Sequence, residues 1–142
     1  MSLYNIVDDN IVALRAGTRV LENLTPKQFT QVSHPYFSAS VGKHFRHILD
    51  HYLSFLHGIS EYRITYDQRR REQQVEQDLE CSMATVREII CQLTAIKTAS
   101  RTGNALKIIL TTSTDNDNPD AVKSSIEREL VFLQSHTTHH YA

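Results

Sequence analysis

Long apolar runs are missing from this 142-residue chain. No stretch approaches the ~20 residues that span a bilayer, which argues against a membrane helix. The opening MSLYNIVDDN has neither the basic start nor the apolar centre of a secretory signal, so the expected location is cytoplasmic. An excess of one charge is missing too: 15 Lys and Arg face 16 Asp and Glu, for a net charge of −1. No field gathers nucleic acid or an anionic membrane, and no basic stripe reads as a DNA-binding face. Cysteine is scarce. Cys81 and Cys91 fall ten residues apart in one predicted helix, about 15 Å of rise, whereas a disulfide needs Cα atoms within roughly 7 Å. Reduced thiols with apolar helical neighbours read as packing groups and suit the cytoplasm. There is no internal repeat, no glycine-rich phosphate loop, no nucleophile elbow and no Cys-x-x-Cys pair.

What is present suits one domain over residues 1–142. The apolar fraction of 40% and charged fraction of 22% are those of a globular protein. A first helix is predicted over 4–24. LTPKQF restarts the chain, with Thr25 as cap, Pro26 at the first helical position and Gln28 closing a capping box; SHPYF ends that turn. A second helix covers 39–58, where Val41, Phe45, Ile48, Leu49, Tyr52, Phe55 and Leu56 recur at helical spacing and Gly58 is the stop. EYRITYDQRRRE reads as a polar connection. A third helix covers 72–99, closed by Arg101 to Gly103. NALKIILTTST changes to the period of a strand, DNDNPD is a turn, and a second strand near Ala121–Lys123 completes a hairpin. The last helix begins near Ser124, with Ser124 and Glu127 as a capping box and Ile126, Leu130, Leu133 and Thr137 as its apolar stripe. All three prolines lie between elements. The architecture expected is all-α: a four-helix bundle with a small β insertion before the last helix.

Histidine is over-supplied. There are eight, and six form two groups: His44, His47 and His51, and His136, His139 and His140. The second group is interleaved with Thr137 and Thr138, unlike a purification handle. Residues four apart share a helix face, so His136 and His140 point the same way, beside the stripe ending at Thr137. Two imidazoles at that spacing can share one metal ion, with a further ligand from a facing helix. His44, His47 and His51 lie within an arc of about 60° on the second helix and offer it. Periodicity favours His44 and His51, because His47 falls at the edge of the apolar face. The plainer reading is that these are hydrogen-bonded core histidines. His139 falls outside the set and is expected to be exposed.

SVGKHFRHILDHY on the second helix, with HTTHHYA at the end, resembles the DinB-like (YfiT-type) superfamily of metal-dependent four-helix bundles. The resemblance spans the chain in element order and assigns three ligands. His47 follows Ser40, Val41 and Gly42 at the family's offset, His136 and His140 match the pair on the last helix, and His51 is the second choice for the single ligand. It implies a divalent metal, zinc or nickel, and a low-molecular-weight thiol, since characterised relatives include thiol-dependent transferases and isomerases. A metal-dependent S-transferase or hydrolase acting on a small molecule is therefore the leading expectation. A non-catalytic bundle with structural histidines, either a monomer or a homodimer, is the rival. Family members usually continue the last helix, so the end of this chain is expected either to be ordered by metal or to be incomplete.

Other features are secondary. Asp50, three residues past His47, is placed to orient a ligand imidazole. Arg69, Arg70 and Arg71 form either an anion clamp or, more simply, a solvated connection. Tyr52 and Tyr66 read as core groups with a lesser claim to a pocket.

Overall fold

A computed structural model describes residues 2–32, 38–67, 72–99, 106–110 and 120–142. In chain order the elements are α1 (Leu3–Glu22), α2 (Pro26–Thr30), α3 (Val41–Ser60), β1 (Arg63–Ile64), α4 (Gln73–Gln77), α5 (Leu79–Thr98), β2 (Leu106–Leu110), β3 (Asp120–Ser124) and α6 (Ile126–Tyr141). The four long helices form the expected all-α bundle. Helices α1 and α3 each pack against both α5 and α6, so α1 and α3 stand diagonally across it. Leu14 and Leu21 of α1, Tyr52 and Phe55 of α3, Ile89 and Leu93 of α5, and Leu130 and Leu133 of α6 fill the centre and are fully buried. No helix among the described residues is long and apolar enough to cross a membrane.

Local chemistry sets the ends of these helices. The Ser2 hydroxyl accepts from the Asn5 N–H at the start of α1, and Ser40 accepts from Lys43 at the start of α3. Thr25 and Gln28 close the reciprocal capping box on α2, with Pro26 at its first position.

Four expectations are corrected. The helix predicted over 72–99 is two helices, because Asp78 leaves helical geometry (φ −117°, ψ 111°) and its carboxylate accepts the Cys81 N–H to cap α5. Gly58 does not stop α3. Its missing side chain lets the chain fold back, since a Cβ there would stand 2.6 Å from the Arg63 carbonyl oxygen, and the reversal is made at Tyr62, whose φ is +55°. The polar connection contains β1, which pairs in parallel with β2 to give a three-stranded sheet of order β1-β2-β3. Finally, Ser125, not Ser124, caps α6 through the Arg128 N–H. Ser124 closes β3, which pairs antiparallel to β2 from Leu106 opposite Ser124 to Leu110 opposite Asp120. The readings of SHPYF, of Arg69 to Arg71, of Arg101 to Gly103 and of DNDNPD before Asp120 lie outside the described residues.

Both cysteines lie on α5 as free thiols: Cys81 half-buried against the core, Cys91 exposed rather than packed.

Candidate metal centre

Helices α3 and α6 run antiparallel, and their facing side chains meet as a ladder. His44 pairs with His140 (ring centroids 5.8 Å apart), His47 with His140 (4.8 Å) and His136 (5.1 Å), and His51 with His136 (4.1 Å) and Phe132 (6.3 Å). The spacings in sequence explain the rungs. Positions 44, 47 and 51 ascend one face of α3 while 140, 136 and 132 descend one face of α6.

Near one end of the ladder the nitrogens of His47, His136 and His140 converge. One ring nitrogen from each lies within 4.8 Å of the other two, and Nε2 of His136 stands 3.2 Å from Nε2 of His47. Bonds of 2.0–2.1 Å in a tetrahedral site put ligand nitrogens about 3.3 Å apart, so one pair is already at that separation. Closing the third ring onto a common centre takes a shift on the order of 1 Å. All three side chains are half-buried. A divalent ion held by them would be gripped from the bundle side and open toward solvent.

The electrostatics suit a cation held by neutral ligands. Burial, then the like charge of His44 and of His139, holds the His140 pKa below the ordinary histidine value. Imidazole is the ligand only when neutral. An all-nitrogen donor set suits zinc, nickel, copper or iron and does not suit magnesium or calcium, which take oxygen.

A family model for the DinB family matches residues 3–142. The chain belongs to the DinB family. No curated protein and no solved structure matches it. Among the described residues of this DinB-family protein, His44, His57 and His139 are exposed, and none of them joins the cluster of three. His51 is buried beside the cluster. Its Nδ1 lies 2.8 Å from the His47 carbonyl oxygen, which makes Nδ1 the donor and fixes the ring against the backbone of its own helix. Asp50 is buried and pairs with Arg46, which reaches Glu76 of α4 (Nε to Oε2 2.6 Å).

Sequence reasoning missed three supports of the site. Behind the ladder, Tyr52 donates to Asn10 Oδ1 (2.7 Å) and accepts from Thr137 Oγ1 (3.3 Å), while Asn10 Nδ2 donates to the Ile6 and Leu130 carbonyls. The signal was a polar residue inside an apolar stripe, with Asn10 midway between Ile6 and Leu14 at four-residue spacing. Burial pushes the Tyr52 phenol well above its ordinary range, so it stays a hydrogen-bond donor. At the far end of the ladder the buried Glu129 carboxylate accepts from Tyr66 (2.8 Å), Ser124 (2.5 Å) and Arg128 (2.8 Å). Glu129 precedes His136 by seven residues and so shares its face.

Third, the end of α6 is held by packing. The Tyr141 hydroxyl donates to the Ala13 carbonyl (2.9 Å), and its ring lies 6.2 Å from that of Phe45, in space left by Gly17 of α1. The last turn, with His140, is therefore latched to α1 without a metal, a route the sequence reading did not consider. Burial pushes the Tyr141 phenol up to about 12.

Proposed function

We propose that this DinB-family protein binds one divalent metal ion, zinc or nickel, through His47, His136 and His140. Convergence of three ring nitrogens within 4.8 Å, from two helices distant in sequence, is the observation that carries the reading. Such an ion supplies Lewis-acid chemistry and lowers the pKa of a water or thiol that reaches its open position. Metal-dependent transfer to or from a small thiol, or hydrolysis, is the reaction class that fits an open three-histidine site.

The chain's own residues have definable parts in this reading. His47, His136 and His140 bind. Thr137, between the two ligands of α6 and hydrogen-bonded to Tyr52, fixes the rotation of that helix. The latch of Tyr141 on α1 keeps the last turn formed. Metal analysis of protein purified without an immobilised metal column tests the reading. About one ion per chain is expected. Protein that takes up no zinc or nickel on dialysis would support instead a non-catalytic bundle whose histidines are structural.

A further inference from the structure

We propose that the far end of the α3–α6 groove, formed by Phe132, Tyr66 and the ring of His51, is a subsite for the aromatic portion of a small thiol whose sulfur reaches the metal. The inference rests on the metal and thiol reading above and adds only the aromatic character of the thiol and the residues that would receive it.

The groove is asymmetric. Toward the end of the chain it carries His44 and His140. Two rungs away the rings become hydrocarbon. Phe132 lies 5.7 Å from the His136 ring and 5.3 Å from Tyr66, at 55° to the latter, and Tyr66 stacks on His51 at 5.5 Å and 22°. Phe132 is 39% exposed although it touches a buried cluster. A single exposed phenylalanine is unremarkable by itself. This one stands beside a candidate ligand, on a wall already ordered by its neighbours.

That order comes from Glu129. A carboxylate at 1% exposure, accepting from the Tyr66 hydroxyl, fixes the phenol in place and occupies its polar atom. Burial and the Glu129 charge push the Tyr66 phenol far above its ordinary range, so the ring stays neutral. What faces a molecule in the groove is then aromatic surface, with the Tyr66 ring held before it arrives. Pre-ordered rings lose little freedom on binding, and offset or edge-to-face contacts add to the area they bury. The centroid steps from Phe132 to His136 and on to His140 are 5.7 and 4.6 Å. One ring and a one-carbon spacer bridge about one such step to a sulfur donor, which zinc accepts alongside imidazole nitrogen.

The test uses the full chain loaded with cobalt(II), whose thiolate charge-transfer absorption reports sulfur at the metal. Phenylmethanethiol and ethanethiol are titrated against wild type, Phe132→Ala and Phe132→Leu. Wild type should bind the aryl thiol about tenfold more tightly, the effect of removing on the order of 60 Å² of apolar surface from water. Phe132→Ala should abolish that preference while the affinities for ethanethiol and for cobalt stay within about twofold, and Phe132→Leu should keep part of it. Equal binding of the two thiols by wild type, or a preference that survives in Phe132→Ala, overturns the subsite and leaves the metal reading standing. Failure to load cobalt at all overturns both.

Discussion

Two polar clusters tie α3 to α6, and they differ in how their bonding is completed. Asn10, Tyr52 and Thr137 are fully buried, neutral, and linked by hydrogen bonds of 2.7 and 3.3 Å, with two backbone carbonyls taking the Asn10 amide. Every donor there has an acceptor inside the protein. His47, His136 and His140 sit one face over, half-buried, with one ring nitrogen of each within 4.8 Å of the other two. Thr137 belongs to the first cluster and its neighbour His136 to the second, so one helix turn carries both. A cluster closed on itself serves stability, because a buried polar group costs about 1–3 kcal/mol unless it is bonded. A cluster open on one side can take an external partner, as the proposed metal reading requires. The comparison predicts that the two can be broken separately.

The largest effect is expected from the open cluster. His136→Ala, His140→Ala and His47→Ala should each reduce metal content from about one ion per chain to near zero, measured by elemental analysis after dialysis. Each removes one of the three proposed ligands. The metal-free variants should keep a thermal midpoint corresponding to a loss of no more than about 1 kcal/mol, since half-exposed side chains contribute little to the core. His139→Ala, exposed and outside the cluster, should retain the metal.

Acid should separate the clusters next. Reference imidazole protonates near pH 6.5, and the protonated ring cannot coordinate. Apparent zinc affinity, measured by competition with a chelator, should fall on the order of 100-fold between pH 7.5 and 5.5. For the metal-free protein the sign follows from His140. Its folded pKa lies below the unfolded value, so below about pH 6.5 the unfolded chain binds more protons and stability declines until the folded pKa is passed. His140→Gln should flatten that decline in metal-free melts. The Asn10–Tyr52–Thr137 cluster has no group that titrates in this range and should be untouched. Equal acid sensitivity of wild type and His140→Gln would count against the assignment of that burial to His140.

The closed cluster should respond in stability alone. Asn10→Ala removes the acceptor of the Tyr52 hydroxyl and the donor to the Leu130 carbonyl, both fully buried, at a cost of about 3 kcal/mol and a fall in thermal midpoint on the order of 10 °C. Zinc affinity measured well below that midpoint should stay within about threefold of wild type. A large loss of affinity would mean that the closed cluster sets the rotation of α6 more strongly than its neutral chemistry suggests.

Much of this arrangement was legible in the sequence, for physical reasons that also mark where legibility ended. Long helices with strict apolar periodicity announce themselves, and α1, α3, α5 and α6 did. Short departures from regular structure do not. Two residues of β1 have no period to detect, and Asp78 breaks a helix through one capping bond that any mid-helix aspartate could seem to offer. The end of α3 was misplaced because glycine has two uses. Gly58 reads as a terminator, yet here it makes room for the returning chain, and Tyr62 takes the left-handed turn instead. The histidines show the limit most directly. Periodicity pointed to His44 and His51 as closer to the apolar stripe than His47, yet of the two only His51 is buried and His44 is exposed. The groove between two packed helices lies at the edge of that stripe, so an edge residue, His47, is the one that meets His136 and His140.

The smallest effect should come from the end of α6, where no member of either cluster is itself replaced. Gly17 lies on α1 against the Tyr141 ring and hydroxyl, and an added Cβ would displace that side chain. Gly17→Ala should release the hydrogen bond to Ala13 and loosen the last helical turn, at a net cost of about 1 kcal/mol because alanine recovers some helix propensity on α1. Only His140 among the three candidate ligands rides on that turn. Zinc affinity should therefore fall several-fold, far less than for His140→Ala, and amide exchange should accelerate at 139–142 while 130–134 stays protected. Were Gly17→Ala to leave the affinity unchanged while exchange accelerates, the latch would order the helix end without contributing to the centre. His47 and His136 would then be holding the metal largely between themselves.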